Sequence, residues 1–347
     1  MNLFLGILLF SFATSFSLVV PTINLLYRWK FTKKKESKEI RLNTTSELEA
    51  IRAKHDQKSG TPTGLGILLV VLITLLFLVT LPILTLNKPM AALFSGYSIG
   101  WEVGVLLLCF VGFGLLGLYD DLLKIFGFAK TGFFGLRRFH KFAIQWLLAF
   151  LVSSFLYWGL KIDFINIPIL GIWHLGVWYL LLASFLIVTF ANAFDITSGL
   201  DGLGEGLLLI SLIAFWGIAA TNLDQVLSLF IAIWIGALIA GIYFTINPAR
   251  AFLGNASGMA FGATLAVVGL LSGKVIALIV IGGMFLIDAG SSLLQIVSKG
   301  ILKRRIFPIA PIHHWLELIG WEEAKIVSRA WILGIMLAVF GVWLTYI

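Results

Sequence analysis

Apolar residues run along this chain in long blocks. Ten blocks approach the ~20 residues a helix needs to cross a bilayer: about 2–27, 64–86, 101–119, 141–160, 173–191, 205–221, 226–245, 257–272, 275–297 and 327–346. In lipid each backbone N–H and C=O needs a partner within the protein, so continuous runs of this length predict helices. A membrane β-barrel would show ~10-residue alternating segments instead. The expected fold is an all-α polytopic membrane protein of about ten transmembrane helices, one domain over residues 1–347. The first block has no basic residue before Arg28. It is also longer than the apolar core of a secretory signal, so it is predicted to be a retained helix.

Composition agrees with the pattern. Of 347 residues, 60% are hydrophobic and only 12% charged, against roughly 25% charged in soluble domains. The basic residues sort by side. Of the 25 Lys and Arg, 22 lie in the odd-numbered connections, ten of them in the first, over 28–63, and six in 298–329; the even ones hold only Lys88, Lys161 and Lys274. The positive-inside rule makes the odd connections cytoplasmic and both termini extracytoplasmic. Five cytoplasmic loops follow, including a basic one at 28–63 and a His-containing one at 298–326. Topology and anionic lipid account for the net charge of +8, so no nucleic acid is needed as a partner. Cys109 is the single cysteine, which rules out a disulfide within the chain.

The unusual polar clusters fall in the same connections: "KHDQKSGTPTG", "GLYDDLLK", "NAFDITSGLDGLGEG", "NPARAFLGNASG" and "PIAPIHHWLELIGWEEAK". Asp120 and Asp121 stand at the end of an apolar block with Lys124 one turn on. Such a pair suits Mg²⁺, which takes carboxylates and substrate phosphates, or forms a solvated helix end paired to Lys124. Asp195, Asp201 and Glu205 alternate with Gly199, Gly202, Gly204 and Gly206 just before a helix. Glycines and a helix N-terminus favour a phosphate, and acids beside one make sense with a cation between; a polar turn that caps helices is the other reading. Lys58 and Thr63 flank the start of the second block, as phosphate-directed groups or as a helix entry. His313 and His314 lack the further ligands of a zinc site. Asp288 and Gln295 lie seven apart and share one helix face. Together these imply a cytosolic, anionic ligand bound with Mg²⁺. A transporter would keep its ionisable groups near the bilayer midplane, which favours an enzyme working at the interface.

These motifs resemble those of the polyprenyl-phosphate N-acetylhexosamine-1-phosphate transferase superfamily. Within it they are most similar to the phospho-N-acetylmuramoyl-pentapeptide transferase family. "HDQKSGTPTG" is similar to H-x-x-K-x-G-T-P-T-M-G-G, "GLYDDLLK" to G-x-x-D-D-x-x-K, and "APIHHWLELIGWEEAK" to A-P-I-H-H-H-x-E-L-x-G-W-x-E-x-K. The resemblance implies Mg²⁺-dependent transfer of phospho-MurNAc-pentapeptide from UDP-MurNAc-pentapeptide to undecaprenyl phosphate in the bacterial inner membrane, giving lipid I and UMP. A homodimer is the implied oligomer. Carried over by position, Asp120 and Asp121 handle the lipid phosphate, Lys124 and Lys141 balance charge, and His313 and His314 sit beside the phosphates. Lys58, Gly199, Leu200, Asp201, Phe252 and Gln295 line a uridine pocket, with Thr63, Asp195 and Ser198 also on the substrate side.

The chain departs from the family pattern where that pattern is acidic. Asp195 replaces an Asn, Ser198 an Asp, and Asn255 an Asp expected to bind metal; Trp315 replaces the third His. The implied metal ligands are therefore Asp120, Asp121, Asn255 and Asp195, the last moving the lost carboxylate to a neighbouring loop. The alternatives are a transferase for another UDP-N-acetylhexosamine, or a transferase-like binding protein with impaired catalysis.

Overall fold

A computed structural model describes residues 2–33, 56, 58–86, 98–126, 136 and 138–347. Most of the basic run of the first connection, 34–55, lies outside the described residues, as does His55. All ten apolar blocks are mainly helical, one of them as two helices. They form α1 (Asn2–Arg28), α2 (Leu65–Leu86), α3 (Ile99–Phe126), α4 (Arg138–Ser154, prolonged by a π turn over Phe155–Gly159), α5 (Trp178–Thr197), α6 (Leu203–Thr221), α7 (Gln225–Thr245), α8 (Asn255–Leu271), α9 (Val275–Ile281) with α10 (Gly283–Ile301), and α12 (Glu323–Leu344). A short α11 (Ile312–Leu318) precedes the last. Among the described residues eight helices are long and apolar enough to cross a membrane. α9 and α10 make a further, broken run, bent by 74°, and α8 is a shorter apolar helix of 17 residues.

α7 and α8 form the centre and are buried along almost their whole length. α7 packs on α1, α2 and α6, and α8 packs on α3 and α5. Between lipid-facing helices there is no hydrophobic drive to associate, so close fit supplies the attraction. The fit here combines the small residues of α8 with an aromatic cluster. Phe110 lies edge-on to Phe230 at 5.4 Å and to Trp234 at 5.6 Å, and Trp234 tilts on Phe261 at 5.3 Å. The outer helices α1 and α12 present Leu9, Phe10, Ile332 and Met336 outward.

Two features differ from the hydropathy reading. The fourth connection and the start of the block at 173–191 are not helical but hold an antiparallel hairpin of β1 (Phe164–Ile167) and β2 (Gly171–His174), with Phe164 opposite His174. The block at 275–297 is also not one straight span. It breaks at Gly282–Gly283, and α10 leaves the axis of α9. α10 is polar inside and oily outside: Asp288, Ser291, Gln295 and Ser298 are buried, while Ile287, Leu293, Leu294, Ile296, Val297 and Ile301 are exposed.

Candidate active site

The five odd-numbered connections meet at one end of the bundle. Thr63 N donates to Phe31 O at 2.9 Å, Phe252 N to Pro62 O at 2.8 Å, and Gly64 and Leu65 N to Phe252 O at 3.0 and 3.1 Å. The "GTPTG" turn thus ties the first connection to the seventh by its backbone. Phe252 is held there with Lys33 5.2 Å above its ring.

Acids and lysines gather beside this seam. Asp120 and Asp121, in the last turns of α3, are both buried. Asp120 Oδ1 accepts the Leu136 backbone N–H at 2.8 Å. Its Oδ2 receives Asn255 Nδ2 at 2.5 Å and Lys124 Nζ at 2.9 Å, with Lys141 Nζ at 3.6 Å. Asp121 Oδ2 accepts the Ala256 N–H at 3.1 Å, so it caps the first turn of α8, a favourable place for an anion. This approach needs Gly117, because a Cβ there would strike the Asn255 carbonyl. Lys141 Nζ also reaches Asp195 Oδ2 at 3.0 Å. The other Asp195 oxygen faces Gly258, 3.7 Å from where a Cβ would stand. Asp195 therefore lies across from the first turn of the helix that Asn255 opens.

These groups border a cavity of about 350 Å³. Thr63, Asp121, Lys124, Asp195, Ser198, Gly199, Phe252, Asn255 and His314 all line it, as does the buried Glu205. Ser198 Oγ also donates to Phe194 O at 2.7 Å and helps close α5.

The remaining residues of the sequence reading lie around this cavity, outside its lining. Lys58 Nζ is 2.6 Å from Asp201 Oδ1 and 2.6 Å from Glu323 Oε1. Glu323 Oε1 accepts the Asp201 N–H at 2.6 Å, and Asn247 Nδ2 donates to Asp201 and Glu323 at 3.3 and 3.1 Å. Leu200 is buried. Gln295 holds the loop that follows α10: its Oε1 accepts Ile306 and Phe307 N–H at 3.1 Å each, and its Nε2 donates to Phe307 O at 2.7 Å.

The two histidines divide. His314 reaches the cavity and bonds Glu317 through Nδ1 at 2.8 Å. His313 is buried behind it, with Nδ1 2.7 Å from Asp288 Oδ2. Its Nε2 has no hydrogen-bond partner among the described residues. That atom abuts Gly199, where a Cβ would come within 2.7 Å.

Sequence reasoning left Asn247 and Glu323 without roles and read Glu205 only as one acid of the glycine-rich segment. Glu323 stood in "GWEEAK", but its partners Lys58, Asp201 and Asn247 lie far along the chain; Glu205 Oε2 has no hydrogen-bond partner among the described residues. For a metal ion, no group of three or more His, Cys, Asp or Glu among the described residues forms a site unaided. The cavity oxygens of Asp121, Asp195 and Asn255 nevertheless suit Mg²⁺, which uses one or two carboxylates and fills its shell with water and substrate phosphate.

Residues 103–273 match the family model described as Glycosyl transferase family 4. Three curated relatives carry the name phospho-N-acetylmuramoyl-pentapeptide-transferase. The Bacillus pumilus protein is 33% identical over 291 residues, 84% of this chain and 85% of the relative. The Levilactobacillus brevis protein is 32% identical over 83% of this chain and 85% of its own. That of Heliobacterium modesticaldum is 33% identical over 83% and 84%.

Proposed function

The chain belongs to the phospho-N-acetylmuramoyl-pentapeptide-transferase family, and on that premise we propose that it makes lipid I. The donor is UDP-MurNAc-pentapeptide and the acceptor undecaprenyl phosphate. An oxygen of the lipid phosphate attacks the sugar-bearing phosphorus, the pyrophosphate bond breaks, and UMP leaves. The reaction takes place at the cytoplasmic face of the bacterial plasma membrane, where the positive-inside rule puts the odd connections.

One observation supports this best: acids and lysines from three connections, Lys33, Asp121, Lys124, Asp195 and Glu205, line one cavity, with Asp120 and Lys141 paired to them. Phosphoryl transfer depends on positioning and on neutralising charge. Lys124 and Lys141 supply positive charge to two phosphates. Asp120 holds both lysines in place, since its oxygens are already taken by them and by two amides. Asp121 opens onto the cavity and takes the proton of the acceptor phosphate. Mg²⁺, held when bound by Asp121, Asp195 and the Asn255 amide oxygen, supplies further neutralisation. Asp195 replaces the charge that Asn255 lacks.

The test supplies purified full-length protein in detergent with both substrates and Mg²⁺, and measures UMP together with lipid-linked product. Both should form, and chelation should stop them. No product, with the Bacillus pumilus relative active alongside, would sink the proposal.

A further inference from the structure

The bend at Gly282–Gly283 has a geometric result. α9 packs along α12, but α10 turns away by 74°. The two helices splay, and a wedge opens between them over α6. The wedge is a cavity of about 300 Å³ lined by Leu207 of α6, Met284 and Ile287 of α10, Ala330 of α12, and Trp321 just before α12. Its side walls carry Ile287 and Leu333, which are 50% and 55% exposed. It therefore opens sideways, toward the same surroundings as the outward-facing Leu294 and Met336.

Its lining is almost wholly apolar. Apolar cavities stay dry, and one of ~150 Å³ takes a benzene-sized guest; left empty, the walls lose their dispersion contacts. A hydrocarbon chain from the bilayer is the occupant of matching chemistry.

The rim selects the headgroup. Arg329 lines the mouth and stacks on Trp321 at 4.5 Å; Lys325, one turn earlier, stacks on the same ring at 4.9 Å. Both are exposed. Neither has a carboxylate partner among the described residues, and the nearby Glu323 is engaged by Lys58. They stand at the site end of α12, where Trp and basic side chains anchor at the membrane interface. From Lys325 to Leu333 the helix rises ~12 Å, a depth that suits a chain hanging from an interfacial headgroup.

We propose that this wedge binds one acyl chain of an anionic phospholipid, with the headgroup on Lys325 and Arg329. The occupant sits behind the candidate active site. His313 borders the wedge and Gly199 borders the reactive cavity, and the two residues touch. A filled wedge therefore supports the His313 ring against the Gly199 wall.

The test embeds the full chain in phosphatidylcholine nanodiscs and adds phosphatidylglycerol with brominated chains. Quenching of Trp321 is read as the difference between wild type and Trp321→Phe. Quenching should saturate at a small fraction of phosphatidylglycerol. Lys325→Gln with Arg329→Gln should raise the fraction needed by roughly fivefold per residue, about the worth of one interfacial basic side chain. Ala330→Phe, which fills the wedge, should abolish the Trp321-specific quench. If that variant fails to fold, the two exposed basic positions carry the test. Equal quenching by brominated phosphatidylcholine, no shift in the basic variant, or relief by equimolar undecaprenyl phosphate would each overturn the proposal; the last would assign the wedge to the acceptor.

Discussion

Position 195 shows how far one residue can be read. "NAFDITSG" displays the acid, but not that its carboxylate shares Lys141 with Asp120 across 54 residues of chain. On the proposal that Asp195 supplies the charge Asn255 lacks, Asp195→Asn should lower kcat on the order of a hundredfold, the scale of losing one preorganised polar group. Asn255→Asp alone should also impair turnover, since it sets a carboxylate against Asp120. The double variant should recover part of the loss. An Asp195→Asn enzyme with wild-type kcat would remove this residue from the site. Gly199 teaches a different lesson. In sequence it reads as a glycine that lets backbone approach a phosphate; in the fold it also makes room for His313, from 114 residues later. Gly199→Ala should therefore destabilise the fold by about 1–3 kcal/mol of overpacking as well as lower activity, the first read as a lower thermal midpoint in detergent.

At the level of elements, the blocks of hydropathy were legible and their directions were not. Each of the ten blocks holds helix, and one of them holds two. A window average counts apolar residues and carries no information about the helix axis, so 275–297 reads as one span although it bends at two glycines. The signal that finds α10 is periodicity. Asp288 and Gln295 share a face, and Ser291 and Ser298 complete the stripe. That stripe stitches down the next loop through Asp288–His313, Ser291–Ile312, Gln295–Phe307 and Ser298–Arg304. Gln295→Leu leaves two backbone N–H groups and a carbonyl unanswered, at about 1–3 kcal/mol for a buried group. Trypsin should then cut faster at Lys303–Arg305, while tryptic cleavage elsewhere is unchanged. An unaltered cleavage rate would mean that the loop is held by other contacts.

For the whole molecule, convergence of the polar connections followed from their uneven charge, because segments on one side of a membrane can only meet one another. In a Cys109→Ala background, Lys161→Cys should react with a membrane-impermeant maleimide added outside cells, and Lys303→Cys only after permeabilisation. The reverse pattern would invert the topology. The pairings within the convergence were hidden, since contacts between distant segments leave no local trace. One of them joins Lys58 to Glu323, 265 residues apart. A ribosome delivers these two residues at opposite ends of the job. Lys58 and Asp201 meet directly, but until the last helix begins to emerge they lack the one carboxylate that Lys58, the Asp201 N–H and Asn247 all reach. A nascent chain can thus sit in the membrane with nearly every helix in place while this knot is still one carboxylate short, and its last tie is delivered with the final helix.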